Sequence, residues 1–495
     1  MLKYISLKCY NLSMKRIVII GAGPAGLTAA YTLLKNSKNY EVIVLEEESQ
    51  VGGISKTINY NGNRMDLGGH RFFTKDDEIN DIWKEILLKK DFLERPRVSR
   101  IYYNKKFFDY PVNLSFKTIR NLGIKDTFVS GFSYIKSCFH KLPEENLENF
   151  YINRFGKKLY KIFFKDYTEK LWGIEPSKID SSWGSQRVKG ISIKAVLKDY
   201  FKRLFKIKDK NKETSLIDKF NYPKYGPGMM YEEMAKKVTK LGGTIILNSK
   251  VVKINKTKKI NSITYIKNKK EVNLKCDYLI SSMPIKDLIC SMNDVDKKVY
   301  KIASNLVYRD FVTIGVVLDK MKVKNGIVPD TWIYVQSSKQ KLGRIQVFNN
   351  WSKYLVKDKK TISLGLEYFC NENDNFWNTK DEDLKNFAFE ELNEMGLIYD
   401  DTKILSYHVE RVKKAYPAYF GVYDKFDVVK AYLNSIDNLY CVGRNGMHRY
   451  NNMDHSMKSA IVCANNIINN IKEKDNIWNV NTDKSYHEVK NEKSN

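Results

Sequence analysis

"KRIVIIGAGPAGLTAAYTLLK", Lys15 to Lys35, decides the fold. An apolar run, a glycine turn and a helical pattern follow one another without a break. Gly21, Gly23 and Gly26 stand in G-x-G-x-x-G order between strand and helix, the context in which that spacing carries information. Gly21 makes the tight turn, Gly23 lets a pyrophosphate approach the backbone, and Gly26 lets helix and strand pack closely. The helix N-terminus then turns its free N–H groups toward the phosphates. A second apolar run, "YEVIVLE" (Tyr40 to Glu46), ends on an acid at about the 20-residue spacing that suits hydrogen bonding to an adenosine ribose. These features together predict a dinucleotide site that includes Glu46.

Downstream, "EEESQVGGISKT" adds Gly52 and Gly53. Read alone, this is a glycine turn. After the first motif it resembles the doublet-glycine extension of FAD proteins of the amine oxidase and glutathione reductase groups, so FAD is the expected dinucleotide. Near the other end, "GRNGMHRYNNMDHSM" (Gly443 to Met457) follows the short apolar run Leu439–Val442 and precedes a helical pattern. We read it as the third piece of the same cofactor domain, with Gly443, Arg444 and Met453 at the cofactor. The following helix, starting near Asn452 to Asp454, directs its positive end at the flavin ring, where it suits the negative charge of a reduced flavin. An ordinary surface helix capped by Asn452 or Asp454 is the plainer alternative.

A chain of 495 residues allows two or three domains. The predicted fold is α/β: a discontinuous Rossmann-type FAD-binding domain with an inserted helical unit and an inserted antiparallel-sheet substrate domain. The boundaries expected are 14–75, 223–290 and 421–471 for the FAD domain, 76–222 for a mainly helical unit and 291–420 for a sheet-rich substrate domain. A polar tail, 472–495, is expected to be disordered. Helical spacing of aromatics and lysines suggests the helical unit, whereas "DFVTIGVVL", "TWIYVQ", "RIQVFNN" and "ISLGLEYF" read as strands.

The formal net charge is +28, from 85 Lys and Arg against 57 Asp and Glu. The lysines are spread along the chain with no zinc-finger, RNP or helix-turn-helix pattern, so nucleic acid is not the expected partner. A solvated lysine-rich surface is the main reading; loose attraction to an acidic membrane surface stays open, and a basic field would draw in an anionic substrate. No apolar run reaches the roughly 18 residues of a membrane span, and no signal peptide is read at the N-terminus. Whether translation starts at Met1 or Met14 is open. Seven scattered cysteines with no C-x-x-C pair fit a reducing cytoplasm and suggest neither disulfides nor a metal site.

Several further stretches point to one chemistry: "DLGGHRFFT" with His70, "DYTEKLWG" with Trp172, "GSQRV" with Arg187, "GRIQVF" with Arg344, "KKAYPAY" with Tyr416 and "HRYNNMD" with Tyr450. Taken singly, each arginine reads as a surface ion pair, and each tyrosine, Trp172 or His70 as a satisfied core residue. As a set they resemble the flavin-dependent UDP-galactopyranose mutases, within the broader protoporphyrinogen oxidase and amine oxidase type of FAD protein. The resemblance runs in patches over about residues 15–470. It implies that His70, Arg187 and Arg344 serve catalysis and that Trp172, Arg187, Arg344, Tyr416 and Tyr450 hold the substrate. The family's flavin loop often carries a second histidine where this chain has Phe73; Tyr222 and Tyr225 are options for a further substrate tyrosine. The chain is also longer than typical bacterial mutases, near 200–220 and 350–380.

Guanidinium forks match phosphate oxygens and stay ionised, and tyrosine hydroxyls donate to the same oxygens without adding charge. What the resemblance implies is a pyranose/furanose mutase acting on a nucleotide-diphosphate sugar for cell-surface polysaccharide biosynthesis. Reduced FAD, primed by NAD(P)H or another reductant, would attack the anomeric carbon through N5 while the arginines hold the departing diphosphate. His70 would shape the surroundings of N5 by positioning. The alternative is an FAD-dependent oxidoreductase of the protoporphyrinogen oxidase or amine oxidase type. The nucleotide and the sugar stay open, as does a homodimer.

Overall fold

The computed structural model describes residues 14–481 except 111, 113–114, 182, 185–218 and 324. Its centre is a five-stranded parallel sheet in which Lys15–Ile20 lies between Tyr40–Leu45 and Tyr278–Ser281, with Thr244–Ile246 and Leu439–Cys441 at the edges. Ile17 and Ile19 face one side, packed with the helices Pro24–Asn36 and Met453–Ile468. Val18 and Ile20 face the other, packed with residues of Ile285–Ser291, Lys297–Ser304 and Phe426–Asn434. A parallel sheet covered on both faces needs apolar residues at successive positions, which explains why "IVII" does not alternate.

The second sheet has seven strands. Tyr308–Leu318, buried along its whole length, lies between Ile404–Pro417 and Ile362–Cys370; Arg344–Val347, Trp332–Val335, Ser99–Tyr103 and Lys106–Asp109 continue it. One expectation needs correction here: the sheet is not wholly antiparallel, because Trp332–Val335 pairs in parallel with Ser99–Tyr103. Within 76–222, expected to be mainly helical, Asp77–Ile86 packs into the cofactor-domain core through Ile79 and Trp83, and 99–109 forms a hairpin of the second sheet. That hairpin turns on Asn104 and Lys105, both left-handed (φ 48° and 57°), the geometry of a two-residue turn between alternating strands. "RIYYNKKFFDY" thus has a period of two, which helical spacing of its aromatics conceals. Among the described residues, helices run from Phe116 to Trp172, with a π-helical turn over Lys161–Lys165. The stretch near 350–380 supplies the strand Ile362–Cys370, so it builds the sheet.

The expected disordered tail is also corrected up to Asn481. Asp475–Trp478 forms a helical turn, and Ile477, Trp478 and Val480 are buried. Arg449 donates to the carbonyls of Trp478 and Val480, and the Trp478 Nε1 donates to Asn434 Oδ1 at 2.8 Å. Three apolar side chains within a polar run, with these hydrogen bonds, dock it. Among the described residues no helix is long and apolar enough to cross a membrane, no cluster suits a metal ion, and the six described cysteines are free.

Trp478→Ala should therefore destabilise the protein by roughly 3–5 kcal/mol, read as a lower urea midpoint. An unchanged midpoint would mean that this segment does not anchor the fold.

Candidate active site

One cavity of about 720 Å³ opens between the two sheets' loops, lined by the glycine turn, the His70 loop, Arg344, Tyr416 and the Gly443–Ser456 segment. Its volume lies within the usual range for small-molecule sites. On one wall, Gly21 has φ 97°, and a Cβ there would strike Ser282. A Cβ at Gly26 would fall on the Gly21 carbonyl oxygen, so the helix crosses the strand at a distance only glycine permits. Gly23 faces Gly53, with 3.7 Å between its would-be Cβ and the Gly53 Cα. Gly21, Gly23 and Gly53 leave this stretch of the cavity wall bare of side chains, a cradle of the kind a pyrophosphate fits. The Glu46 carboxylate, expected at a ribose, accepts from the Ala22 N–H at 2.6 Å and the Glu48 N–H at 3.0 Å, fastening the glycine turn. Burial raises its pKa, and those two donors oppose the shift. The Gly52 N–H in turn donates to the Ala22 carbonyl at 2.9 Å.

The C-terminal segment supplies a second helix N-terminus. Asn452 caps Met453–Ile468 in a reciprocal box with His455, and Asn452, Met453 and Asp454 line the cavity. Gly443 takes φ 79°, and its N–H donates to Ser459 Oγ at 3.0 Å. Arg444 braces this jaw, donating to the Asn451 and Ala415 carbonyls at 2.8 and 3.1 Å. Its guanidinium lies 4.5 Å from the centre of the Tyr450 ring, a cation–π distance.

Arg344 sits in the same cavity and is buried. Its Nε donates to Tyr167 Oη at 2.5 Å, and its Nη1 donates to Tyr416 Oη at 3.1 Å and Glu367 Oε2 at 3.2 Å. Burial works against its charge, but Tyr167, Tyr416 and Glu367 outweigh it and hold the guanidinium ionised. Tyr416 stacks on Tyr450, centroids 5.7 Å apart at 14°. Lys170 fixes the chain just before Arg344, donating to the carbonyls of Val335, Ser337 and Leu342 at 2.9–3.1 Å. Burial lowers the Lys170 pKa to about 8.

The structure thus brings together Gly21, Gly23, Gly53, Glu46, His70, Arg344, Tyr416, Gly443, Arg444, Tyr450 and Met453 around one cavity. Gly26 and Gly52 act from behind the wall. Trp172 is not among the residues that line the cavity; it lies in the core, edge-on to Tyr416 at 6.5 Å and to Trp183 at 5.6 Å, at the end of a helix that packs under the second sheet. Arg187 lies outside the described residues. Tyr222 is buried and donates to Asp66, and neither it nor Tyr225 lines the cavity.

Sequence reasoning missed Tyr167, Lys170, Glu367 and Trp332. Glu367 carried a legible signal, a lone acid inside the apolar run "ISLGLEYF", which demands a buried partner. Tyr167 lay inside a quoted motif without a distinguishing mark. Trp332, whose ring leaves no room for a Cβ at Gly69, is signalled by nothing local.

The model of the flavin containing amine oxidoreductases matches residues 24–468. Among curated proteins, the chain is 26% identical over 174 residues to a dTDP-fucopyranose mutase of Escherichia coli, which is 34% of this chain and 45% of that one. It is 27% identical over 178 residues to a protein named probable UDP-galactopyranose mutase in Klebsiella pneumoniae, 34% of this chain and 44% of that one. The matched stretches thus span less than half of either relative. A crystal structure of reduced UDP-galactopyranose mutase superposes with a TM-score of 0.80 at 23% identity, covering 94% of this chain and 99% of the other, and so shares the fold.

His70 stands half-buried on the cavity wall, and its buried Nδ1 has no hydrogen-bond partner among the described residues. Burial, and then the charge of Arg444, lower its pKa to about 3; burial brings His448 to about 4. Both are neutral when folded, whereas the unfolded chain takes up their protons below about pH 6.5. Stability from these groups is therefore full above about pH 6.5 and lost as pH falls toward 4, by up to ~1.4 kcal/mol per pH unit for each. His70→Gln should make that loss shallower in urea titrations at pH 6.5, 5.5 and 4.5; an unchanged slope would contradict a neutral His70.

Proposed function

We propose that this chain, which belongs to the flavin-containing amine oxidoreductase family, is an FAD-dependent mutase that interconverts pyranose and furanose forms of a nucleotide-diphosphate sugar. The observation that carries this reading is a buried, charged Arg344 bonded to Tyr416 in the cavity that holds the glycine cradle. A simple amine offers a buried guanidinium no anion, whereas a diphosphate does; the carboxylates of a porphyrinogen could also pair with it, so the assay includes that substrate.

FAD would be held by Gly21, Gly23, Gly53 and Glu46 on one jaw and by Gly443 and Met453 on the other. When bound and reduced, it supplies a nucleophile for the anomeric carbon of the sugar. The protein's part is to bind and retain the leaving group. Arg344 uses Nε and Nη1 internally, which fixes its plane before substrate arrives. Arg71, Arg97 and Arg444 also line the cavity and add to the positive field. The Tyr416–Tyr450 stack narrows the space beside Arg344, so a released diphosphate stays close to the sugar it must rejoin. Neutral His70 can position a neighbour but has no proton to give near neutral pH. Arg187, by the sequence resemblance, would be the second diphosphate ligand. A cytoplasmic setting and a role in supplying furanose units for cell-surface polysaccharide complete the reading, with NAD(P)H or another reductant priming the flavin.

A dehydrogenating flavoenzyme would share the cradle, and the family's own name favours testing it. Incubation of the reduced and the oxidised protein with UDP-galactose and dTDP-fucose separates the two. We expect furanose product from the reduced form alone, without stoichiometric use of reductant. Steady oxygen consumption with an amine or porphyrinogen, with no isomerisation, would overturn the mutase.

Arg344→Ala should keep the flavin spectrum yet weaken nucleotide-sugar binding by roughly 2–4 kcal/mol. Arg344→Lys, which retains charge but loses the planar fork, should fall between. Equal affinity in all three proteins, measured by calorimetry, would remove Arg344 from the diphosphate site.

A further inference from the structure

The helix Ile124–Phe139 is inverted. Its packed side is small and polar: Ser130 and Ser137 are buried, Ser133 Oγ accepts from the Lys158 N–H at 3.0 Å, and Asp126 pairs with Lys158 at 2.9 Å. The partner helix approaches closely at Gly156, where a Cβ would strike the Tyr134 backbone. The apolar side faces outward instead. Ile124, Phe128, Phe132, Ile135 and Phe139, spaced three or four apart, form one stripe; Phe116, which opens the preceding helix, is exposed as well, and all six are 54–81% exposed. Single exposed apolar residues need no explanation, but a contiguous aromatic stripe on one helix face does.

The charges around the stripe decide what covers it. Lys125, Lys136, His140 and Lys141 are exposed along or just beyond the helix, and its one acid, Asp126, is engaged with Lys158. Just past these, Glu144 is paired with Arg154 and Glu145 is exposed, which leaves the rim net cationic on a chain of net charge +28. A second copy laid on this face would set these lysines near their own images. An anionic lipid surface answers both features at once, taking phenylalanines at the acyl boundary and lysines at the headgroups.

We propose that Ile124–Phe139, with Phe116, docks this protein on the surface of anionic bilayers, lying in the interface plane without crossing it. This stands apart from the catalytic reading, since none of these residues lines the active-site cavity.

The test uses the full flavin-loaded chain and sedimenting vesicles of phosphatidylcholine, with or without about one third phosphatidylglycerol. The parent should sediment with the anionic vesicles only, and high salt should weaken this. The double variants Phe128→Glu/Phe132→Glu and Lys125→Glu/Lys136→Glu should each bind at least about tenfold more weakly, with melting temperature, flavin content and sedimentation coefficient unchanged. No binding by the parent, or equal binding by the variants, would overturn the proposal. So would a smaller sedimentation coefficient in the phenylalanine variant, which would assign the stripe to a second copy. A melting temperature lowered by more than about 5 °C would assign it to another part of this chain and equally overturn the proposal.

Discussion

A guanidinium removed from water must find counter-charge and hydrogen bonds inside the protein, and removing one partner of such a group leaves an uncompensated charge. Arg344 meets that demand from three directions: Tyr167 from the helix after the π turn, Glu367 from the adjacent strand, and Tyr416 from the far strand of the same sheet. Arg344 and Glu367 are opposite one another in the ladder, so the pair fixes strand register as well as charge. A one-residue slip would bury each without the other. The helical segment, the sheet and the cavity wall are thereby tied to one interaction. The active-site geometry and the fold of the second sheet are then the same problem.

The π-helical turn at Lys161–Lys165 belongs to this arrangement. Inserting an extra residue into a helix rotates everything after it. The following helix places Tyr167 against Arg344 and Lys170 among three carbonyls of the loop leading to it. Because the Lys170 pKa is lowered only to about 8, the ammonium persists at neutral pH and keeps those carbonyls satisfied. Thus a helix that never contributes to the cavity wall through Trp172 still sets its shape.

The cofactor side was legible in sequence because its requirements are local. Gly21, Gly26 and Gly443 are demanded by backbone geometry within a few residues, and the turns at Asn61–Gly62 and Gly52 follow the same logic. The substrate side was only partly legible. Arg344, Tyr416 and Tyr450, which the structure places on the cavity wall, were marked by neighbouring words, whereas Tyr167 and Glu367 reach Arg344 by pairing across long separations. The same origin explains why a recognisable motif marked Trp172 without showing that its ring packs in the core behind Tyr416. The 99–109 hairpin was lost because the parallel partner that organises it lies beyond residue 330. Trp478 and Ile477 were buried by surfaces the tail does not itself encode.

The central sheet has a consequence in time. Its middle strand pairs Ile17 with Tyr278, and Tyr278–Ser281 in turn pairs with Leu439–Cys441. Synthesis at about 5–20 residues per second means that tens of seconds separate emergence of the glycine turn from arrival of the segment that closes over it. From the emergence of Tyr278–Ser281 to the end of that interval its outer edge has no neighbour, and throughout the interval the first jaw has no second. Nascent chains would therefore rely on chaperone shelter longer than a domain of contiguous sequence would. Flavin supply then acts late in maturation, as a ligand that locks an assembled enzyme and not as a template for its first strands.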